Sequence, residues 1–316
     1  MSLRRFIIRR VFLTIPILFG VSIVTFGLVH LAPSDPIELL LAANPELPEG
    51  AVETAQQQHG FDRPVYIQYL DWMSGVLVGD FGIEYSTHRD VSNLVMRRIP
   101  PTIALGLFGW VFAIVIAIPT GIYAAVRKDK LGDHIGRVVA LSGISMPNFW
   151  LGLMLILVGA LVLGMWSVTA PREALYHPEM LWYLILPGIA IGTAASANLM
   201  RILRSAMAEE LNKDYVTTAR SKGLPERTVI LKHVLRNSLI SVVTAAAFLT
   251  VVILSGSVVV EVVFNWPGLG LELIDAVIAR EINIILAITL FVGVAIVIAN
   301  LLADIAYALI DPRIRY

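Results

Sequence analysis

The chain has 316 residues, of which 57% are hydrophobic, with a formal net charge of zero and a mean hydropathy of +0.77. The apolar residues are concentrated in blocks of about 20 or more, the length at which a helix crosses a bilayer, so the composition excludes an ordinary soluble protein. The absence of cysteine excludes disulfides, thiolate metal sites and cysteine nucleophiles.

Six apolar segments predict an all-α integral membrane protein. The first span, 11–30, follows a basic N-terminal arm at 1–10 and lacks a small-residue cleavage pattern before Ala32, which favours an uncleaved helix over a signal peptide. An external segment, 31–101, separates it from a core at 102–316 with five more spans. Those spans are predicted at Thr102–Val126, Val138–Trp166, Leu181–Met200, Leu239–Val260 and Ile282–Ile310.

The basic residues are concentrated in alternate loops. With the N-terminus placed in the cytoplasm, 18 of the 24 Lys and Arg residues fall in the N-terminal arm, the loops after spans two and four, and the C-terminal tail. Short loops rich in Lys and Arg remain in the cytoplasm. The pattern therefore predicts a multi-pass protein of the cell membrane with both termini cytoplasmic.

The external segment is polar and rich in turn-forming residues, which predicts a small folded cap. Within it, Gln68–Val78 has the spacing of a short amphipathic helix. Aromatic residues of the kind that anchor at the membrane interface accompany it: Phe61, Tyr66, Tyr69, Trp72, Phe81 and Tyr85.

The cytoplasmic loop 201–237 has the signals of a helix, a sharp turn and a second helix that continues into span five. Asp214 is predicted as the N-cap of the first helix, Gly223 as its left-handed C-terminal residue, and Pro225 in the first turn of the second. Such an exposed, short element suits docking onto another protein. A helix lying on anionic lipid is the alternative that these residues leave open.

Beyond span five, Trp266–Gly270 is predicted to be non-helical because of its proline and glycines. It forms either a lid over the outer mouth or an ordinary surface turn. The outer gate or lid candidates are Glu261, Phe264, Trp266, Pro267 and Gly268.

Asp304 is the main ionisable residue within a span and therefore a functional candidate. It either pairs with a basic residue at the interface or faces a water-filled path. The chain has no phosphate-binding loop of the G-x-x-x-x-G-K-[ST] type, and its six histidines are scattered. No catalytic residue and no metal site are predicted.

The loop between spans four and five resembles the coupling-loop motif of ATP-binding-cassette (ABC) import permeases. Thr217-Thr218-Ala219, Gly223 and His233-Val234-Leu235-Arg236 are similar to the version found in the dipeptide, oligopeptide and nickel branch. Ser241 departs from this branch, which usually has proline there. Further similar stretches are Arg9-Arg10, Ile15-Pro16, His30-Leu31-Ala32-Pro33, Gly60-Phe61-Asp62-Arg63-Pro64, Gly79-Asp80-Phe81-Gly82, Ser145-Met146-Pro147-Asn148-Phe149-Trp150, Glu261 to Gly270, and Asp311-Pro312-Arg313.

This resemblance implies the first of two permeases in an importer with a type I-like, six-span fold. The implied partners are a second homologous permease, two ATPase subunits, an extracytoplasmic solute-binding protein and the bilayer, but no nucleic acid. ATP and Mg would be bound by the ATPases, which leaves this chain non-catalytic and without a cofactor. The residues implied to contact the ATPase are Asp214, Tyr215, Thr218, Ala219, Arg220, Lys222, Gly223 and Leu224.

Peptides are the substrate that the resemblance favours, with nickel, glutathione or a sugar as alternatives. A stand-alone ion-coupled transporter would need coupling carboxylates near the middle of the membrane, and no acidic residue lies clearly at the centre of a predicted span. An intramembrane enzyme would need a nucleophile and a base at a common depth, and the sequence does not indicate such a pair.

Overall fold

The computed structural model describes residues 3–31, 63–128, 130–162, 164 and 180–310. The helices are α1 (Leu3–Leu31), α2 (Val65–Val78), α3 (Val91–Val126), α4 (Leu131–Ser145), α5 (Asn148–Leu161), α6 (Met180–Glu210), α7 (Asp214–Ser221), α8 (Glu226–Thr228), a π-helix (Val229–Val234), α9 (Leu235–Val263), α10 (Leu269–Ala279) and α11 (Ile282–Ile310). The two ends of this bundle are named after the short helices they carry, the α7 end and the α10 end.

Five described helices are long and apolar enough to cross a membrane. Predicted span three is instead two helices, α4 and α5, which meet at a bend of 105°. Pro147 lies at the break and lacks the amide that would continue the hydrogen-bond ladder. Counted as one bent span, the pair brings the number to the predicted six.

Several helices extend beyond the predicted spans because polar residues continue the helical hydrogen bonding outside the apolar stretch. α1 begins at Leu3, so the described part of the predicted N-terminal arm is helical. α3 begins at Val91 rather than Thr102, because the Asp90 carboxylate accepts from the amides of Ser92 and Asn93.

At the other end of the core, α6 continues to Glu210, so the loop predicted at 201–237 is non-helical mainly around 211–213 and 222–225. α9 passes through Ser241 without a break. α11 has the predicted bounds.

α3 and α6 pack closely against each other. A Cβ atom on Gly192 would lie 2.6 Å from the carbonyl oxygen of Gly109, and one on Gly188 would overlap the ring of Phe108. The two backbones therefore touch, as small residues four apart allow in membrane helices. Gly188 and Gly192 have this spacing, a signal that the sequence analysis did not use.

The predicted amphipathic helix in the external segment is confirmed as α2. Its Tyr69 hydroxyl lies 2.9 Å from the Ser22 hydroxyl, and its ring packs edge-on against Phe26 of α1. Trp72 contacts Phe26 as well, with ring centroids 5.6 Å apart. These two predicted interface anchors thus contact α1, while Phe61 lies outside the described residues.

The loop between α2 and α3 is held against the turn between α10 and α11. The buried carboxylate of Glu281 accepts from the amides of Tyr85 and Ser86 at 2.7 and 2.9 Å. Burial raises the pKa of Tyr85 to about 12; the Glu281 charge adds to this, and a hydrogen bond with Asn283 opposes it. The loop between α2 and α3 and the turn between α10 and α11 are therefore joined by charge-assisted hydrogen bonds.

A buried ion pair at the α7 end joins α4 to α6. The Asp133 carboxylate is fully buried and accepts from Nε and Nη2 of Arg204 at 2.5 and 2.6 Å. Arg137 lies 3.4 Å from the same carboxylate. Asp133 and Arg204 lie 71 positions apart in the chain, so no local pattern predicts their pairing.

The Gly109–Gly192 contact predicts a specific cost for a larger side chain. We expect Gly192→Val to destabilise the protein by about 1–3 kcal/mol, because the added atoms meet backbone that cannot move aside as a side chain would. The measurement is thermal unfolding in detergent. Gly27→Val is the matched control, since a Cβ on Gly27 meets nothing within 4 Å. Equal stability of the two variants would contradict the proposed close packing.

Candidate functional site

The predicted ATPase-contact residues lie on and just after α7. The structure corrects the predicted N-cap: Lys213, with an extended backbone, precedes the helix, and Asp214 is its first helical residue. The Asp214 carboxylate lies in the first turn, where a negative charge suits the helix dipole. Sequence reasoning misplaced the boundary by one residue because Asp is favourable at both positions.

The turn after α7 has the predicted left-handed glycine. Gly223 has a φ of +73°, and its amide donates to the carbonyl of Arg220 at 2.9 Å. Pro225 is the N-cap of α8 rather than part of its first turn. The predicted helix, sharp turn and second helix leading into α9 are confirmed.

An ion pair closes this turn from outside. Arg220 donates from Nε and Nη2 to the carboxylate of Glu226 at 3.1 and 2.6 Å. These hydrogen bonds lower the pKa of Glu226, against a small opposing effect of burial. Arg220 is one of the residues implied to contact the ATPase, and in this structure it binds an acid of its own chain.

One face of α7 is fixed to the core. Val216 is fully buried and Ala219 is 8% exposed, both in the apolar cluster that includes Val229 and Met207. Ala219, one of the residues implied to contact the ATPase, is therefore occupied by contacts within the chain.

A polar anchor lies at the start of α7. The Tyr215 hydroxyl donates to Glu210 at 2.5 Å, and Lys213 binds the same carboxylate. Burial tends to raise the pKa of Glu210, but the hydrogen bonds from Lys213 and Tyr215 outweigh it, and the net shift is downward. The free surface is the opposite face, formed by Asp214, Thr217, Thr218, Arg220, Ser221, Lys222, Gly223 and Leu224.

The π-helix connects this surface to the membrane-crossing helix. It covers Val229–Val234, between α8 and α9, and α7 packs against it. π-helices are rare and often occur at functional sites. The sequence analysis did not find it, because no local residue pattern distinguishes its hydrogen bonding from that of an α-helix.

The predicted outer gate residues form a buried network at the α10 end. The Glu261 carboxylate is fully buried and accepts from the Thr102 hydroxyl at 2.8 Å and from the amides of Gly270 and Leu271 at 2.6 and 3.3 Å. It thereby caps α10, whose first residue is Leu269. The non-helical run consequently ends at Gly268 and not at Gly270 as predicted.

Further contacts tie this network to α3. Trp266 is 1% exposed and donates from Nε1 to the Pro101 carbonyl at 3.0 Å. Arg98 donates to the Pro267 carbonyl and binds Glu272 at 2.6 Å. Phe264 and Gly268 are buried as well. The interpretation as an ordinary surface turn is therefore wrong.

Asp304 lies at the opposite end of the bundle from this network. Its carboxylate is 2.9 Å from Nη1 of Arg10, so the predicted pairing with a basic residue is confirmed. The pair joins α11 to α1, two helices that pack along each other. The structure thus brings the predicted residues together at three separate places rather than at one.

Comparison with known proteins places these features in a family. The family model of the binding-protein-dependent transport system inner membrane component matches residues 117–316, and the model of the N-terminal part of such membrane components matches residues 3–106. Together the two models account for nearly the whole chain.

Two curated relatives are similar over almost their full length. The oligopeptide transport system permease protein AppB of Bacillus subtilis (strain 168) is 39% identical over 98% of this chain and 99% of the relative. The glutathione transport system permease protein GsiC of Escherichia coli (strain K12) is also 39% identical, with the same coverage.

A solved structure, described as an amino acid ABC transporter with histidines, shares the fold. It aligns with a TM-score of 0.50 and 14% identity, covering 68% of this chain and 94% of that chain. The chain therefore belongs to the family of binding-protein-dependent transport system inner membrane components, as a multi-pass permease subunit of an ABC importer.

Proposed function

We propose that this permease imports short peptides as one half of a translocation pathway. The second half would be a homologous permease, with two ATPase subunits on the cytoplasmic side and an extracytoplasmic solute-binding protein that delivers the peptide. The observation that carries this proposal is the similarity to an oligopeptide permease and a glutathione permease over almost the whole chain. Oligopeptides and glutathione share the chemistry of a peptide with a free carboxylate.

The proposed ATPase contact is the free surface of α7 and the turn after it. One face of α7 is fixed to the core through Val216, and the turn is closed by the Arg220–Glu226 pair, so the element is short and stiff. Because α7 packs on the π-helix and the π-helix continues into α9, a displacement of α7 would be transmitted to a membrane-crossing helix. Of the residues implied to contact the ATPase, Asp214, Thr218, Arg220, Lys222, Gly223 and Leu224 lie on this surface, and Tyr215 and Ala219 support it through contacts within the chain.

In this arrangement the chain is non-catalytic. ATP and Mg would be held by the ATPase subunits, a division of labour supported by the absence of a phosphate-binding loop from the sequence. The α7 end and both termini would face the cytoplasm, as the positions of the basic residues favour.

At the α10 end we assign Glu261, Phe264, Trp266, Pro267 and Gly268 to a fixed support for the outer gate. Each donor that meets the Glu261 carboxylate would lose its acceptor if this network opened, and such losses are costly in a buried site. A support of this kind keeps α10 and the start of α3 together while other helices move.

Copurification and transport test the proposed assembly directly. A second permease and an ATPase are expected to copurify with a tagged chain that is extracted gently from its host. The purified complex, placed in liposomes, is expected to import a short peptide when ATP and the binding protein are added. Recovery of this chain alone, with transport retained and abolished by a protonophore, would contradict the proposal.

If α7 couples ATP hydrolysis to transport, a variant of the turn after α7 is expected to assemble with its partners but to transport less. Valine at position 223 is strained at a positive φ, so Gly223→Val is expected to change the shape of the free surface and to lower ATP-driven uptake about tenfold. Uptake and binding-protein-stimulated ATP hydrolysis are measured in liposomes.

Gly79→Val is the matched control for that experiment. Gly79 also has a positive φ, +84°, and open space around its Cβ position, but it lies at the α10 end. Similar uptake by the two variants would assign the loss to backbone strain in general and would contradict the coupling role.

The fixed support predicts a stability effect at Glu261. Glu261→Ala leaves the Thr102 hydroxyl and two amides of α10 without an acceptor, and we expect a cost of about 1–3 kcal/mol for each unsatisfied donor. Thermal unfolding in detergent measures it, with Glu209→Ala at an exposed carboxylate as the control. A Glu261→Ala variant of normal stability that leaks peptide would indicate a moving gate instead.

A further inference from the structure

One face of α6 carries small and polar residues that are not buried in the core. Ala194, Asn198, Arg201 and Ser205 follow one another at intervals of four, three and four residues, and therefore share a face of the helix. All four are partly or fully exposed within this chain. Their neighbours Leu199, Met200 and Leu203 are buried, so α6 presents this strip away from its own core.

The strip borders a cavity of about 200 Å³ inside the bundle. Its polar lining is Asn148, Asn198 and Arg201, and its apolar lining includes Ile144, Leu249 and Ile253. Asn148 reaches it because α5 starts there, after the break that follows α4.

The α9 residues in its lining show where the cavity lies along that helix. Leu249 lies at the middle of α9 (Leu235–Val263), and Ile253 lies one turn further toward the α10 end. The cavity therefore reaches the centre of α9, and along α6 it extends from Ile191 to Arg201. Sequence reasoning had placed Arg201 in the cytoplasmic loop, whereas the structure places it within α6 and in the lining of this cavity.

The direction of the Arg201 side chain supports this placement. Its Nη2 donates to the Asn198 side-chain oxygen at 3.2 Å. Asn198 is one turn closer to the start of α6, so the guanidinium points along α6 and away from the α7 end, as side chains on a helix lean toward its N-terminus.

The charge of Arg201 has no counterpart among the described residues. Arg204, one turn away, is neutralised by Asp133 at 2.5 Å, but Arg201 forms no ion pair with a described acidic residue. A cation on a helix that crosses the membrane is a functional candidate by default. Its strongest ligand is a carboxylate, which a guanidinium binds with two parallel hydrogen bonds.

We infer that this cavity is a transit site for an anionic group, the C-terminal carboxylate of a peptide, held by Arg201 with the side-chain amides of Asn198 and Asn148. The inference rests on the proposed function and adds the chemical group that the permease recognises. A carboxylate loses its hydration when it enters a low-dielectric region, and a fixed cation lowers that barrier. The open side of the strip leaves room for the rest of the peptide and lets it leave again, as transport requires.

The test uses the complete importer in liposomes and two forms of one tripeptide, with a free C-terminal carboxylate and with a C-terminal amide. The binding protein is kept saturated, and each variant is compared with the wild type for the same peptide, so that selection by the binding protein cancels. Arg201→Gln is expected to lower uptake of the free peptide about tenfold, the effect of losing one charged hydrogen-bond partner. Uptake of the amidated peptide by the same variant is expected to stay within about twofold of the wild-type uptake of that peptide.

Two further variants complete the experiment. Arg201→Lys keeps the charge and is expected to restore most of the uptake of the free peptide. Arg97→Gln removes an exposed charge from the start of α3 and is expected to leave both peptides unchanged.

The possible results separate this inference from the function it rests on. Equal losses for the two peptides would show that Arg201 has a structural role, such as an ion pair with the second permease, and would overturn the transit site. Unchanged uptake of both would overturn it as well. A wild-type complex that imports neither peptide would overturn the proposed function, and the transit site with it.

Discussion

The contact of Gly109 with Gly192 sets the position of α6, and much of the structure is built on or against that helix. α6 packs on α3, α4, α5 and α9, and it leads directly into α7. Because a bilayer offers no hydrophobic gain for pressing two apolar helices together, close backbone packing supplies much of the attraction. A helix held by its backbone has little freedom to rotate, so the side chains of α6 point in fixed directions. One face is buried, and the Asn198–Arg201 strip faces the open side.

The charges that this bundle buries are compensated by groups from distant parts of the chain. Asp133 meets Arg204, Glu281 meets two amides of the external loop, and Glu261 caps α10 while it holds Thr102. In each case the carboxylate accepts more than one hydrogen bond, which offsets the cost of its desolvation. These contacts stiffen the bundle at two places, the α7 end and the α10 end.

Between these stiff regions lie the elements with less regular geometry. α4 and α5 meet at a sharp bend, and the π-helix interrupts the path from α7 to α9. Breaks and π-turns are places where a helix changes direction at low cost. The proposed mechanism uses this division, since a displacement at α7 passes through the π-helix to α9, which lines the cavity beside Arg201. The proposed ATPase contact and the proposed transit site are thus joined by one continuous stretch of chain.

The sequence by itself determined the membrane class, the order of the apolar helices, the helix and glycine turn of α7, and the family. Each of these depends on hydropathy, charge or turn residues within a short window, or on matching runs of residues. Only the tertiary structure decided that Arg220 binds Glu226, that Ala219 is buried within its own chain, and that Glu261 is a buried cap. It also moved Arg201 from a predicted loop to a cavity in the bundle. The physical reason is that burial and pairing depend on residues far apart in the chain, such as Asp133 and Arg204, and a local pattern carries no information about which distant partner a side chain meets.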